Sequence, residues 1–166
     1  MSGNCRILSV MVLLLGVSLS VGARADADSV VPLKPLSSNG SALGRGELTV
    51  VQLINSYRAA NGVAPLRVGP ALSRAAQAHS NDMARRGYFD HGDFVSRLRI
   101  FGVRAPYIGE NLAEGTRPLS PAAIVRMWIK SPPHRENLLD RGFRRIGVGM
   151  AGGSMRIATA DFSGRG

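Results

Sequence analysis

Residues 120–162, SPAAIVRMWIKSPPHRENLLDRGFRRIGVGMAGGSMRIATADF, hold one helix, one break and one hairpin in that order. Ser120 is a good helix cap, and Pro121 suits a first turn, where its missing N–H costs nothing. Ile124, Val125 and Trp128 then share one face of a helix over 122–130. Pro132-Pro133 breaks it, leaving 134–140 room for one or two turns. Beyond them, 145–151 and 154–162 alternate around Gly152-Gly153, as two antiparallel strands joined by a tight turn do.

Upstream the pattern is helical. Residues 47–60 carry Leu48, Val51, Ile54 and Tyr57 at helical spacing, and Asn61-Gly62 stops them. After a connector over 63–68, Pro70 opens a second helix with Leu72, Ala75, Ala76, His79 and Met83 on one stripe, and Gly87 ends it. The aromatic loop 88–92 (YFDHG) follows. Asp93 then caps a short helix over 94–101, and 107–113 (YIGENLA) reads as extended. Helices first and a small antiparallel sheet afterwards define an α+β chain, not a βαβ series.

The chain has 166 residues, a hydrophobic fraction of 45% and a formal net charge of +10. That composition fits a packed domain and argues against disorder over the whole length. Nineteen of the 21 basic residues are Arg. The lone Cys5 excludes an internal disulfide and any multi-cysteine metal or redox site. Residues 1–25 have the form of an export leader: Arg6, an apolar run over 7–21, then Ala23-Arg24-Ala25. The run is shorter than the roughly 20 residues that span a bilayer. Cleavage after Ala25 would remove Arg6, Arg24 and no acid, leaving +8. Residues 26–46, rich in Pro, Ser and Gly, read as a flexible linker, 47–163 as the folded domain, and 164–166 as a tail.

The candidates for chemistry are few. His79 lies on the apolar stripe of its helix, where a hydrogen-bonded structural role is expected. His91, in a loop, and His134, after a helix break, sit where a side chain can face a cleft. Neutral imidazole is a good ligand for a borderline divalent ion, and two imidazoles plus a carboxylate make an open site. Glu110, between Gly109 and Asn111 in an apolar segment, needs a partner or takes up a proton. Spacing alone does not bring His91, Glu110 and His134 together, and no H-E-x-x-H, G-x-S-x-G or P-loop is present. The bland alternative is that each satisfies a structural hydrogen bond. Trp128 reads as core, Arg144-Arg145 as a solvated pair and Asn111 as a buried amide. Gly147 and Gly149 predict a close backbone approach, with the His134 segment as the candidate neighbour.

The strings AQAHSNDMARRGYFDHGD (76–93), IGENLAEG (108–115), MWIKSPPHRENLLDRGFRRIGVGM (127–150) and ATADFSG (158–164) occur in this order. Together they resemble the CAP superfamily, the cysteine-rich secretory, antigen 5 and pathogenesis-related 1 proteins, in its bacterial branch. The resemblance covers nearly the whole predicted domain. It implies a three-layer α-β-α sandwich around a small antiparallel sheet, and a shallow cleft lined by two His and two Glu. His91, Glu110 and His134 match three of those four positions. Ser131 stands at the fourth, so a full tetrad is not implied. Members have been described binding zinc or other divalent ions, and their activities are scattered, so the fold does not choose the function.

Two functions are weighed. One is an exported binding module, periplasmic or secreted and monomeric. Its His91, His134 and Glu110 would hold Zn²⁺ or another divalent ion, and its ligand would be a lipid, a glycan or an anionic envelope component. The other is a hydrolase, metal-assisted or acid/base, with Glu110 and His134 as its catalytic pair. A serine variant pairing Ser131 with His134 lacks a visible oxyanion loop. Nucleic acid is not expected, since 5% aromatics and no recognition motif give it little support.

Overall fold

The computed structural model describes residues 5–9, 13–14, 43–116, 119–152 and 155–165. The order is β1 (Cys5–Ser9), β2 (Leu13–Leu14), α1 (Arg45–Ala60), β3 (Arg67–Val68), α2 (Pro70–Arg86), α3 (Phe94–Ile100), β4 (Tyr107–Thr116), α4 (Pro121–Lys130), α5 (Pro132–Leu139), β5 (Phe143–Ala151) and β6 (Met155–Gly164). The chain is α+β, as its pattern predicts.

β4, β6 and β5 run antiparallel in that spatial order, and β3 adds to β5 in parallel. β1 and β2, inside the stretch read as a leader, pair with β4 along its other edge. The Ala23-Arg24-Ala25 motif, most of the linker and the hairpin's Gly153-Ser154 lie outside the described residues. α1 begins at Arg45, two residues inside the stretch read as linker. Among the described residues no helix is long and apolar enough to cross a membrane.

Helices cover both faces of the sheet. On one face α1, α4 and α5 pack on Tyr107, Ala113, Phe143, Ile146, Val148, Ala160 and Phe162. Trp128 is fully buried there and donates its indole N–H to the Leu112 carbonyl at 3.0 Å. Each large apolar side chain enclosed in this way contributes roughly 1.5–3 kcal/mol.

On the other face α2 and α3 pack more closely. A Cβ at Gly147 would lie 2.1 Å from the backbone carbon of Leu72, and one at Gly149 would lie 2.3 Å from that of Ala76. These glycines therefore admit the backbone of α2. The expected neighbour, the His134 segment, lies across the sheet: Asn111 donates to the His134 carbonyl at 3.0 Å from the opposite face of β4.

Local signals set most element ends. Asp93 caps α3 by accepting from Ser96 N at 3.0 Å, and Ser120 caps α4 by accepting from Ala123 N at 3.2 Å. Gly87 closes α2 in the left-handed region at φ 67°. Pro132-Pro133 both ends α4 and opens α5, since Pro fits a first turn as readily as it stops a preceding helix.

Candidate functional site

His91 sits in the loop between α2 and α3, and three bonds hold that loop. His79, on the buried stripe of α2, meets the Asp90 carbonyl through Nε2 at 2.9 Å. Burial first, and the nearby Arg97 charge second, push His79 down to about 4. The ring is therefore neutral at pH 7 and donates Nε2–H to that carbonyl. Asp90 accepts from Gly92 N at 2.6 Å, and Arg97 of α3 donates to the His91 carbonyl at 3.1 Å. His79 thus has the structural role expected of it and fixes the loop that carries His91.

His91 Nδ1 lies 2.7 Å from Glu110 Oε1. The other Glu110 oxygen accepts from Arg97. Glu110 is fully buried, while 13% of each of the His91 and Arg97 side chains remains exposed. Glu110 thus reaches solvent only through its partners. Burial pushes it up to about 7 against the opposing pull of Arg97.

Strand register adds a residue that the sequence reading passed over. Asp161 on β6 is directly opposite Glu110 on β4 and is fully buried. Its Oδ1 lies 3.7 Å from Arg97, too far for a hydrogen bond but close enough for charge to act. Burial first, and the Glu110 charge second, hold Asp161 well above the usual carboxylate range. One guanidinium thus faces two enclosed carboxyls, and the arrangement is neutral overall when Asp161 keeps its proton and Glu110 is ionised. Arg97 was also missed. The one signal for both residues was the requirement that a carboxylate in an apolar strand find a partner.

His134 lies on α5 and is 1% exposed. Its Nδ1 is 2.7 Å from Ser131 Oγ, so the residue at the fourth family position bonds the second histidine. Asn111 ties His134 to β4 one residue from Glu110, and Asn137 donates to Asn111 Oδ1 at 2.8 Å. Asn111 is thus a buried amide joining strand to helix, as its position suggests. The bonds described join His91 to Glu110 and His134 to Ser131. Among the described residues no three of His, Cys, Asp and Glu are grouped to hold a metal ion. Glu110 directs one oxygen to His91 and the other to Arg97.

A carboxylate bonded to one ring nitrogen fixes the tautomer and makes the other nitrogen a stronger donor to a ligand. The His91–Glu110 pair has that form, and a hydroxyl stands in the corresponding place for His134.

The family model for CAP, the cysteine-rich secretory protein family, matches residues 51–160. An uncharacterised Bacillus subtilis protein, YkwD, is 36% identical over 134 residues, which are 78% of this chain and 51% of that protein. An uncharacterised B. subtilis membrane protein, YlbC, is 31% identical over 109 residues, 63% of this chain and 31% of its own length. The chain therefore spans about half or less of these relatives. An extracellular protein with an SCP domain from Bacillus anthracis superposes with a TM-score of 0.66 at 27% identity, covering 72% of this chain and 40% of that one. An outer surface protein of Borrelia burgdorferi shares the fold at a TM-score of 0.66 and 18% identity, covering 74% and 95%. The family match runs from within α1 into β6 and takes in both helical layers and the segments bearing His91, Glu110 and His134, and this chain belongs to the CAP (cysteine-rich secretory protein) family.

Proposed function

We propose that the chain is an exported binding module whose cleft holds a divalent ion, Zn²⁺ or a similar one, through His91 and His134. Glu110 orients the first ring and water keeps the open coordination positions. The ion and the surrounding cleft receive a lipid, glycan or envelope ligand. One observation carries the reading: the 2.7 Å bond between Glu110 Oε1 and His91 Nδ1, anchored from behind by Arg97. Burying a carboxylate and an arginine to steady one histidine is costly, and it is explained if that histidine must hold its other nitrogen in a set direction. The leader-like N-terminus and the extracellular and outer-surface relatives support export to the periplasm or beyond.

The alternative is acid/base hydrolysis at the same cleft. The raised Glu110, near 7, favours it, since a proton-transfer group works best near the ambient pH. Against it, Glu110 is 0% exposed and meets a substrate only by way of His91. Binding is the better-supported reading.

Calorimetry of the full chain with Zn²⁺ tests it, in a Cys5→Ser background so that the thiol does not compete. The parent binds, and His91→Ala/His134→Ala does not. Glu110→Gln, an orienting residue, weakens binding by roughly 10–100-fold without abolishing it. A flat titration for the folded parent overturns the metal reading.

A further inference from the structure

A cluster of exposed arginines stands at one end of the sheet. Tyr107 on β4, Gly164 on β6 and Phe143 on β5 form one rung, the last at that end. Around it stand Arg104, Arg141, Arg144, Arg145 and Arg165, all exposed. Arg165 N bonds the Gly142 carbonyl at 3.3 Å, and Arg144 donates to the Arg141 carbonyl, so these residues are neighbours in space. On the next strand Arg67, also exposed, is directly opposite Arg145. Across β4, β6, β5 and β3 the array is about 14 Å wide at the usual strand spacing.

Among the described residues no ion pair neutralises it. Asp140 is the acid of this end, and its oxygens accept from the Tyr107 hydroxyl and Gly142 N. Among the described residues no ion pair involves any of the six arginines; those present lie around Asp82, Glu110 and Asp161. Like charges directly opposite on neighbouring strands are unfavourable, so the Arg67–Arg145 register works against folding unless an outside anion bridges it.

A second feature adjoins the array. Ile100, at the end of α3, is 81% exposed, and among the described residues the only other exposed large apolar side chain is Leu48 at 42%. Arg99 and Arg104, both exposed, flank it, with the Arg104 guanidinium 2.6 Å from the Arg99 carbonyl. Leu98 and Val103 pack with Ile108 of β4, which ties this turn to the same end of the sheet. An apolar side chain among arginines suits an interface where phosphates lie above hydrocarbon. A soluble polyanion offers nothing to Ile100.

We propose that this end of the sheet docks on an anionic phospholipid surface. The arginines engage headgroup phosphates, bidentate where two are adjacent, and Ile100 enters the acyl boundary. The proposal deepens the binding-module reading by naming a partner surface, and it does not depend on a metal.

Co-sedimentation of the full chain with vesicles tests it, using phosphatidylcholine alone against phosphatidylcholine mixed with phosphatidylglycerol. The leader's apolar run acts on both vesicles alike, so the ratio of the two partitions is read, in the presence of chelator. The parent favours the anionic vesicles, and high salt removes the preference. Arg67→Gln/Arg144→Gln/Arg145→Gln lowers the ratio about 100-fold. Arg85→Gln/Arg86→Gln/Arg156→Gln, with the same loss of charge elsewhere, lowers it less than about threefold. Ile100→Ser lowers partition onto the anionic vesicles about tenfold. Equal losses for the two triples would mean that net charge alone acts, and an unaltered Ile100→Ser would mean a polyanion and not a lipid; either result overturns the proposal, as does a parent with no preference. Circular dichroism of each variant confirms folding. A flat Zn²⁺ titration beside intact vesicle docking would sink only the metal reading, and the converse only this one.

Discussion

The two faces of the sheet are built on different terms. Against α1, α4 and α5 the filling is large and apolar: Trp128, Phe143, Phe162, Ile146 and Val148, with the Phe143 and Phe162 rings stacked at 5.2 Å. Against α2 and α3 the strands present Glu110, Asp161, Thr159, Gly147 and Gly149. Ser80 of α2 bonds both the Gly149 carbonyl at 3.0 Å and Thr159 Oγ1 at 2.9 Å. One face is held by area removed from water, the other by close backbone approach and satisfied polar groups. The second kind of face is where a histidine can be held in a chosen direction, because directional bonds and not only volume fix its neighbours.

If the contrast is right, the smaller chemical change does the greater harm when made on the polar face. Gly149→Ala adds one methyl, but backbone atoms of Ala76 and Gln77 stand 2.3 Å from its position and cannot swing aside. The expected cost is about 3 kcal/mol. Trp128→Phe removes far more and loses the bond to Leu112, yet apolar neighbours close part of the gap, for about 2 kcal/mol. Urea unfolding of both variants ranks them; the reverse order would break the distinction between the faces.

The next effect is one of pH. His79 is held at about 4 in the folded chain against 6.5 when unfolded, chiefly by burial, then by Arg97, with a smaller push from His91 and a pull from Asp82. Its folded pKa is depressed, so the unfolded chain takes up the proton first. The contribution of the neutral ring is complete above pH 6.5 and is lost as pH falls from there toward 4. After allowance for partial screening this amounts to about 2 kcal/mol. His79→Gln keeps a donor for the Asp90 carbonyl but cannot titrate. Stability measured between pH 7 and pH 4 should fall less in the variant than in the parent, and parallel curves would remove His79 from the account of the loop.

What could be read from the residues, and what could not, follows the same division. Element ends were legible because they are local: Asp93 and Ser120 cap within three residues, and Gly87 turns the chain by itself. The hairpin strands were legible from alternation. β3 was hidden in a connector, because two residues pairing in parallel with a strand nearly eighty positions away leave no periodic trace. The glycines announced a close approach but not its author, since α2 and α5 were equally available until the layers formed. In the site, Glu110 declared a need for partners; the resemblance to a family supplied His91, and only three-dimensional placement supplied Arg97 and Asp161. Ser131 read as a departure from a family position, and its bond to His134 depended on α5 starting at once after α4.

The smallest effect probes the least visible residue. Two buried carboxyls facing one arginine can be charged as a pair, or one can hold a proton. If Asp161 holds it, Asp161→Asn replaces one neutral donor by another of nearly the same shape, and stability changes by less than about 1 kcal/mol. If Asp161 were ionised and paired with Arg97, the same change would break a buried ion pair and cost roughly 3–5 kcal/mol. Asp161→Leu sharpens the result, since it removes the polar group but keeps the bulk; it should cost more than Asp161→Asn, because Arg97 and Glu110 then face an apolar side chain. Chemical denaturation of the two variants separates the cases. A large loss for Asp161→Asn would place the second negative charge on β6, and the neutral balance that steadies Glu110 behind His91 would have to come from elsewhere.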